Sequence, residues 1–325
     1  MDTAIEATGF SVNQRKSLAV LGLSEDLQSV GDRPNYDPGL AVGLRRRLDD
    51  QLQSLLRDSG FTQQDPMVVS KYDLATLFAC EGQYLASRND VFEWSIAKAR
   101  GTVLHKVQQA SITPRAMNLP AVTAVEQAIE RLAQDPDGSL SGWLQERSPF
   151  EIAELTADVT EIANKIRVDI PPIRPQWQPR PESRVRVELC DRRCVLLGKV
   201  DLALGSPRGN QARTFILDYK SGGTRYEHAD EMRFYALLET LRAGIPPWRA
   251  AVYYADLGEW LTVDITEDSL EAATRRVIDG LTKLVELDSD SREPVLTPGP
   301  CNFCPARDTC APGKSYLSAR HAERN

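Results

Sequence analysis

Apolar positions recur every three to four residues through the first half of the chain and alternate through much of the second half. LAVGLRRRLDDQLQSLLRDSG predicts a helix that ends with Gly60 in a C-cap position. Ser70 is placed to cap a helix from about Asp73 to Arg88, and a longer helical pattern runs from Val91 to Ala110 with Gly101 inside it. Helices continue across 121–134 and 149–167, and then five prolines between Pro171 and Pro181 predict an extended connector. RVRVELC, CVLLGKVDLALG and RTFILDYKS alternate or run apolar in short segments, which predicts three strands joined by tight turns. HADEMRFYALLETLRAG returns to the helical period and stops at Gly244. Strands near 249–255 and 260–264 and a helix across 267–287 lead into a loop-rich tail. This order predicts an α/β or α+β fold with its sheet in the second half. Residues 1–65, polar and glycine-punctuated, are expected to form a helical N-terminal extension to a domain spanning 66–325.

Within the strand ILDYKSG, Asp218 and Lys220 point to one face with Ile216, while Phe215, Leu217 and Tyr219 point to the other. Asp201 interrupts the preceding apolar strand. A hairpin centred between Gly209 and Asn210 would pair 201 with 218 and set both carboxylates about 5 Å apart on one face. Two carboxylates that close repel unless a cation lies between them, so Asp201, Asp218 and Lys220 predict a Mg2+ or Mn2+ site beside a lysine. A structural salt-bridge cluster is the rival reading, and it would be costly to bury.

The 325 residues are 42% hydrophobic and 26% charged, the composition of an ordinary globular protein. No uncharged run approaches a membrane span, and MDTAIEATGF lacks the basic start and apolar block of a signal peptide, so the cytoplasm is the expected compartment. A net charge of -7 gives no global footprint for nucleic acid, but six arginines between Arg174 and Arg193 leave room for a local one. Glu188, on the strand before Asp201, reads as a charged edge-strand residue.

Six cysteines in a reducing compartment argue for metal ligation over disulfides. PCNFCPARDTCAPG places Cys301, Cys304 and Cys310 among prolines, where they are poor core fillers. A fourth ligand must come from elsewhere, and Cys80 is the best candidate, because Cys190 and Cys194 flank a short turn in the strands. The spacing itself leaves zinc and iron-sulfur open.

SKYDLATLFACEGQYLASR, RGTVLHKV, GKVD, DYK, EMRFY and the cysteine triplet follow one another in an order that resembles the RecB-like branch of the PD-(D/E)XK nuclease superfamily. The resemblance runs from about residue 66 to the C-terminus. Within that branch it resembles the members with an iron-sulfur cluster: the AddB nuclease domain, exonuclease V and the CRISPR-associated RecB-like exonucleases. It implies a restriction-endonuclease-like core, with a central mixed sheet flanked by helices, and a 4Fe-4S cluster on Cys80, Cys301, Cys304 and Cys310. It also implies that His105, Asp201, Asp218 and the Tyr219 carbonyl hold Mg2+ or Mn2+. Lys220 would act in catalysis, and Tyr235 would contact the substrate phosphate or Lys220. One position departs: Glu231 stands where the family has glutamine, still on one helical face with Tyr235 and so placed to meet substrate.

The resemblance therefore implies a metal-dependent DNA exonuclease acting on single strands or unwound ends in repair, recombination or defence. Expected partners are DNA and a helicase, a CRISPR-adaptation protein or a repair protein, with no membrane. The alternative is a nuclease-fold binding or scaffold subunit that cuts little or nothing, for which Glu231 is the sequence hint.

Overall fold

A computed structural model describes residues 9–88, 90–299 and 301–324. The first eight residues of the expected N-terminal extension lie outside the described residues. Six strands form one sheet: β1 (Met67–Ser70), β2 (Arg180–Leu189), β3 (Cys194–Leu204), β4 (Phe215–Lys220), β5 (Arg249–Tyr254) and β6 (Glu259–Asp264). β3 pairs antiparallel with β2 along its whole length, from Cys194 opposite Leu189 to Ala203 opposite Arg180. Its other edge is shared. β1 runs parallel to residues 194–197, and β4 runs antiparallel to 202–204. β4 continues the sheet with β5 in parallel, and β5 with β6 in antiparallel. This is the mixed α/β architecture, a central mixed sheet flanked by helices, that a restriction-endonuclease-like core requires.

Each face of the sheet carries its own apolar core. On one face Leu44, Leu48, Leu52 and Leu56 of helix Leu40–Arg57 recur every four residues and are at most 1% exposed. They pack with helices Glu227–Ala243 and Glu267–Asp288 against Leu196, Ile216 and Val252. Helix Leu40–Arg57 is thus built into the same core as the sheet. On the other face helices Ile96–Ser111, Ala121–Ala133 and Pro149–Asp169 cover Leu202, Leu217 and Tyr253. The sequence pattern places Phe215, Leu217 and Tyr219 opposite Ile216, and the two cores divide these residues in that way.

The hairpin tip has Arg208 and Gln211 exchanging backbone hydrogen bonds around Gly209 and Asn210. The pairs of that hairpin keep the expected register as far as Leu202 opposite Leu217, where the ladder stops short of Asp201 and Asp218. Gly244 ends helix Glu227–Ala243 with φ +83°, a left-handed cap that glycine adopts freely.

Several elements differ from the sequence pattern. The helix expected from Asp73 to Arg88 breaks at Cys80, whose extended backbone separates Lys71–Ala79 from Glu81–Arg88. Ser95 caps a helix starting at Ile96, five residues later than the apolar pattern suggests. Helix Leu40–Arg57 ends at an Asp58 cap, before Gly60. The extended connector gives way to β2 at Arg180, with Pro181 inside the strand; an edge strand tolerates a missing N–H. The tail contains helix Ala311–Arg324; β1, at four residues, is too short to show a period, and helix Val12–Leu21 has its apolar residues bunched at its end.

Candidate active site

β1 and β4 approach one another along the shared edge of β3 and leave residues 198–201 between them. Even-numbered β3 side chains up to Val200 join the first core, whereas Leu202 and Leu204 join the second, so the strand reverses its facing at Asp201. Opposite Asp201 in β2, Glu182 has φ +50°, a left-handed conformation that costs roughly 1–3 kcal/mol in a residue of its kind. At this reversal the ladder opens. Oδ2 of Asp201 accepts the Tyr219 backbone N–H at 2.8 Å, and Oδ1 lies 3.1 Å from Nδ1 of His105. His105 projects from helix Ile96–Ser111, which packs on the second face. Ligand atoms of His105, Glu182 and Asp201 all lie within 4.8 Å of one another.

Asp218 faces a different set of partners. Its Oδ1 is 3.3 Å from Lys71 Nζ and its Oδ2 is 3.0 Å from Lys220 Nζ. Glu231 Oε2 lies 3.0 Å from Lys71 Nζ and 3.1 Å from Lys220 Nζ, so two lysines alternate with two carboxylates. Tyr235, one turn on from Glu231, is 3% exposed, and its ring centroid is 4.8 Å from Lys71 Nζ. Gly198 makes room for it: a Cβ there would come within 2.5 Å of Leu238 Cδ1 and 3.2 Å of the Tyr235 ring.

The two aspartates are driven apart electrostatically. Burial and then the Asp218 charge hold the Asp201 carboxyl above the usual range, against the pull of His105. Burial also opposes ionisation of Asp218, but Lys220 and Lys71 outweigh it and hold that carboxyl below the usual range. Burial would lower the Lys71 value, and Asp218 and Glu231 outweigh it, so Lys71 stays charged. Burial raises the Tyr235 phenol well above its ordinary value, so it stays protonated. Neighbouring carboxylates with opposed shifts characterise reacting sites more than structural ones. Oδ2 of Asp218 is buried, and the Lys220 ammonium at 3.0 Å is its close polar neighbour.

All four cysteines singled out by the sequence line one cavity of about 190 Å³ together with Gly82, Leu296 and Gly313. Cys80 reaches it from the break between its two helices; Cys301 and Cys304 are joined by a backbone hydrogen bond of 3.2 Å. Among the described residues no three of these sulfurs have all lain within 4.8 Å of one another, the spacing that the His105 group meets. Cys190 and Cys194 are buried in the first core, away from this cavity.

Lys71 and Glu182 are absent from the sequence reading. Lys71 follows a four-residue strand whose partner lies more than a hundred residues away, and Glu182 falls in the proline-rich stretch. The capping box at Ser70 and Asp73 marks the first position, although nothing in it marks a site. The arginines between 174 and 193 are largely committed elsewhere: Arg180 to Glu239, Arg186 and Arg192 to Glu188, and Arg193 to the Phe61 carbonyl.

No curated protein matches the chain in sequence. Among solved structures, a candidate exonuclease from Eubacterium rectale is 10% identical with a TM-score of 0.44, covering 78% of this chain and 90% of its own. The protein SSO0001 is likewise 10% identical, with a TM-score of 0.34, covering 82% of this chain and 94% of its own. The sequence pattern of the PD-(D/E)XK nuclease superfamily matches residues 68–311, which include Lys71, His105, both aspartates, Lys220 and all four cavity cysteines. The chain belongs to the PD-(D/E)XK nuclease superfamily, a family of metal-dependent nucleases.

Proposed function

We propose that this nuclease is a Mg2+- or Mn2+-dependent DNA exonuclease of the RecB-like branch, acting on single-stranded or unwound ends in repair, recombination or defence. The observation that carries the reading is the gathering of His105, Asp201 and Glu182 within 4.8 Å of one another where β3 and β4 part, with Asp218, paired to Lys220, near enough for its charge to raise the Asp201 carboxyl. The donor set of His105, Glu182 and Asp201 fits the cation: carboxylate oxygens suit Mg2+ and an imidazole favours Mn2+. When bound, the cation supplies Lewis acidity to the phosphate and makes water more acidic. His105 and Asp201 hold one side of the site, the latter fixed by the Tyr219 amide. Lys220 keeps its ammonium beside Asp218, held by Glu231, where it stabilises charge that develops on the phosphate. Tyr235, kept neutral by burial, would offer its hydroxyl as a hydrogen-bond donor to the substrate phosphate or beside Lys220.

Cys80, Cys301, Cys304 and Cys310 are assigned a 4Fe-4S cluster with a structural role. A cluster would join the helix pair at Cys80 to the C-terminal tail. Glu81 makes a second join there: it accepts from Arg292 at 2.6 Å, Lys283 at 2.7 Å and the Val295 N–H at 2.8 Å.

The engagement of Asp218 by two lysines favours one other reading, a subunit that holds DNA without cutting it. End-labelled single- and double-stranded DNA incubated with anaerobically purified protein in Mg2+, Mn2+ or EDTA separates the two. Metal-dependent shortening that is lost in Lys220→Ala is expected. Folded, coloured wild type that leaves every substrate intact would favour the binding subunit.

A further inference from the structure

Resting on the nuclease reading, we propose that Lys71 is a second substrate-binding cation of this site: its ammonium covers Asp218 Oδ1 in the metal-free protein and turns to a nucleic-acid phosphate oxygen once that carboxylate is engaged by a divalent cation. The placement is rigid at its base. Lys71 follows the last residue of β1 and opens a helix capped by Ser70, whose side chain and that of Asp73 exchange hydrogen bonds with the backbone. The Lys71 Cα is therefore set by the sheet and the cap together, while its side chain remains 23% exposed. From there Nζ reaches Asp218 at 3.3 Å and Glu231 at 3.0 Å and lies over the Tyr235 ring.

Asp218 cannot serve two lysines and a divalent cation equally. Two ammonium groups and a doubly charged ion around one carboxylate repel at these distances. Both lysines also touch Glu231, at 3.0 and 3.1 Å, but Lys71 makes the longer contact with Asp218, so it is the one that Asp218 releases more readily. It also opens onto a cleft lined by Glu227, Asp230, Glu231, Arg233 and Arg276, in which both arginines pair with Asp230 and Lys71 pairs with Glu231. Lys71 lines that cleft and Lys220 does not, so a phosphate entering by that side would meet Lys71 first. The released ammonium is then a point charge for a non-bridging oxygen, a task that suits lysine.

The test uses full-length protein with substitutions Lys71→Met and Lys71→Arg, each checked by thermal melting. Mn2+ binding to the DNA-free protein is followed by electron paramagnetic resonance. Binding of single-stranded oligonucleotide in Ca2+ is followed as a function of salt. Lys71→Met is expected to bind Mn2+ roughly threefold or more tightly, since a competing cation has gone. It should bind oligonucleotide roughly tenfold more weakly, with the slope of log K against log salt reduced by about 0.7. Lys71→Arg should restore the slope. A folded Lys71→Met with unchanged Mn2+ affinity and unchanged slope would assign Lys71 to structure alone and overturn the proposal. Wild type that cuts while this slope stays fixed defeats only the Lys71 proposal. Wild type that never cuts, with a slope that falls in Lys71→Met, defeats only the nuclease reading.

Discussion

The Tyr219 backbone N–H donates to Oδ2 of Asp201 at 2.8 Å, so a side chain takes the place of a strand carbonyl where β3 and β4 separate. A backbone donor beside a carboxylate fixes its orientation without neutralising it. That leaves Oδ1 for His105 and holds the carboxylate ready for a cation.

Asp201→Asn tests this arrangement. Burial beside Asp218 disfavours the ionised Asp201, and a neutral isostere removes that penalty while keeping the acceptor for Tyr219. We expect the variant to melt no lower than wild type in EDTA. Its Mn2+ affinity should fall by more than about tenfold, and the rise in melting temperature on adding Mn2+ should shrink accordingly. Calorimetry of both proteins with and without Mn2+ checks both parts, and equal stabilisation by the ion would remove Asp201 from the site.

Gly198→Ala probes the packing of Tyr235 without touching any charged group. The new methyl would meet Leu238 and the Tyr235 ring too closely, so that ring must move. A loss of about 1–3 kcal/mol in denaturant titrations is expected, with a lower cleavage rate and unchanged metal affinity. An unaltered rate in a destabilised variant would show that the position of Tyr235 is irrelevant to the reaction.

The Glu81 clamp predicts an acid-sensitive step. Hydrogen bonds from Arg292, and then from Lys283 and Val295, hold its carboxyl at about 2, below the ordinary 4.5. Because the folded value is depressed, its stabilisation is complete above pH 4.5 and is lost as pH falls from there toward 2. Glu81→Gln should therefore lower the melting temperature at pH 7 and narrow the gap between variant and wild type near pH 3. A gap that stays constant across this range would separate Glu81 from the acid response.

Cys80→Ser and Cys304→Ser should each lose the brown colour of an iron-sulfur protein and melt earlier, because cluster binding also supplies folding energy. Cys190→Ser should keep the colour, since its sulfur is buried in the first core. Iron and zinc analysis of the same preparations distinguishes the two metals. A colourless wild type holding one zinc per chain would replace the cluster assignment.

Sequence alone determined the alternation that separates Ile216 from Leu217, the hairpin register that sets Leu202 against Leu217, and the helix that stops at Gly244. These features are local: side-chain period, turn residues and caps act within a few positions. It also marked Cys80 and the 301–310 triplet as a set, through residue type. Only the tertiary structure decided that β1 and β4 share one edge of β3, that the strand reverses at Asp201, and that Lys71 and Glu182 therefore reach the two aspartates. β1 is four residues long and pairs with residues 194–197, so no local pattern encodes it; its partner is supplied by chain closure and by the two cores formed on either side of the sheet.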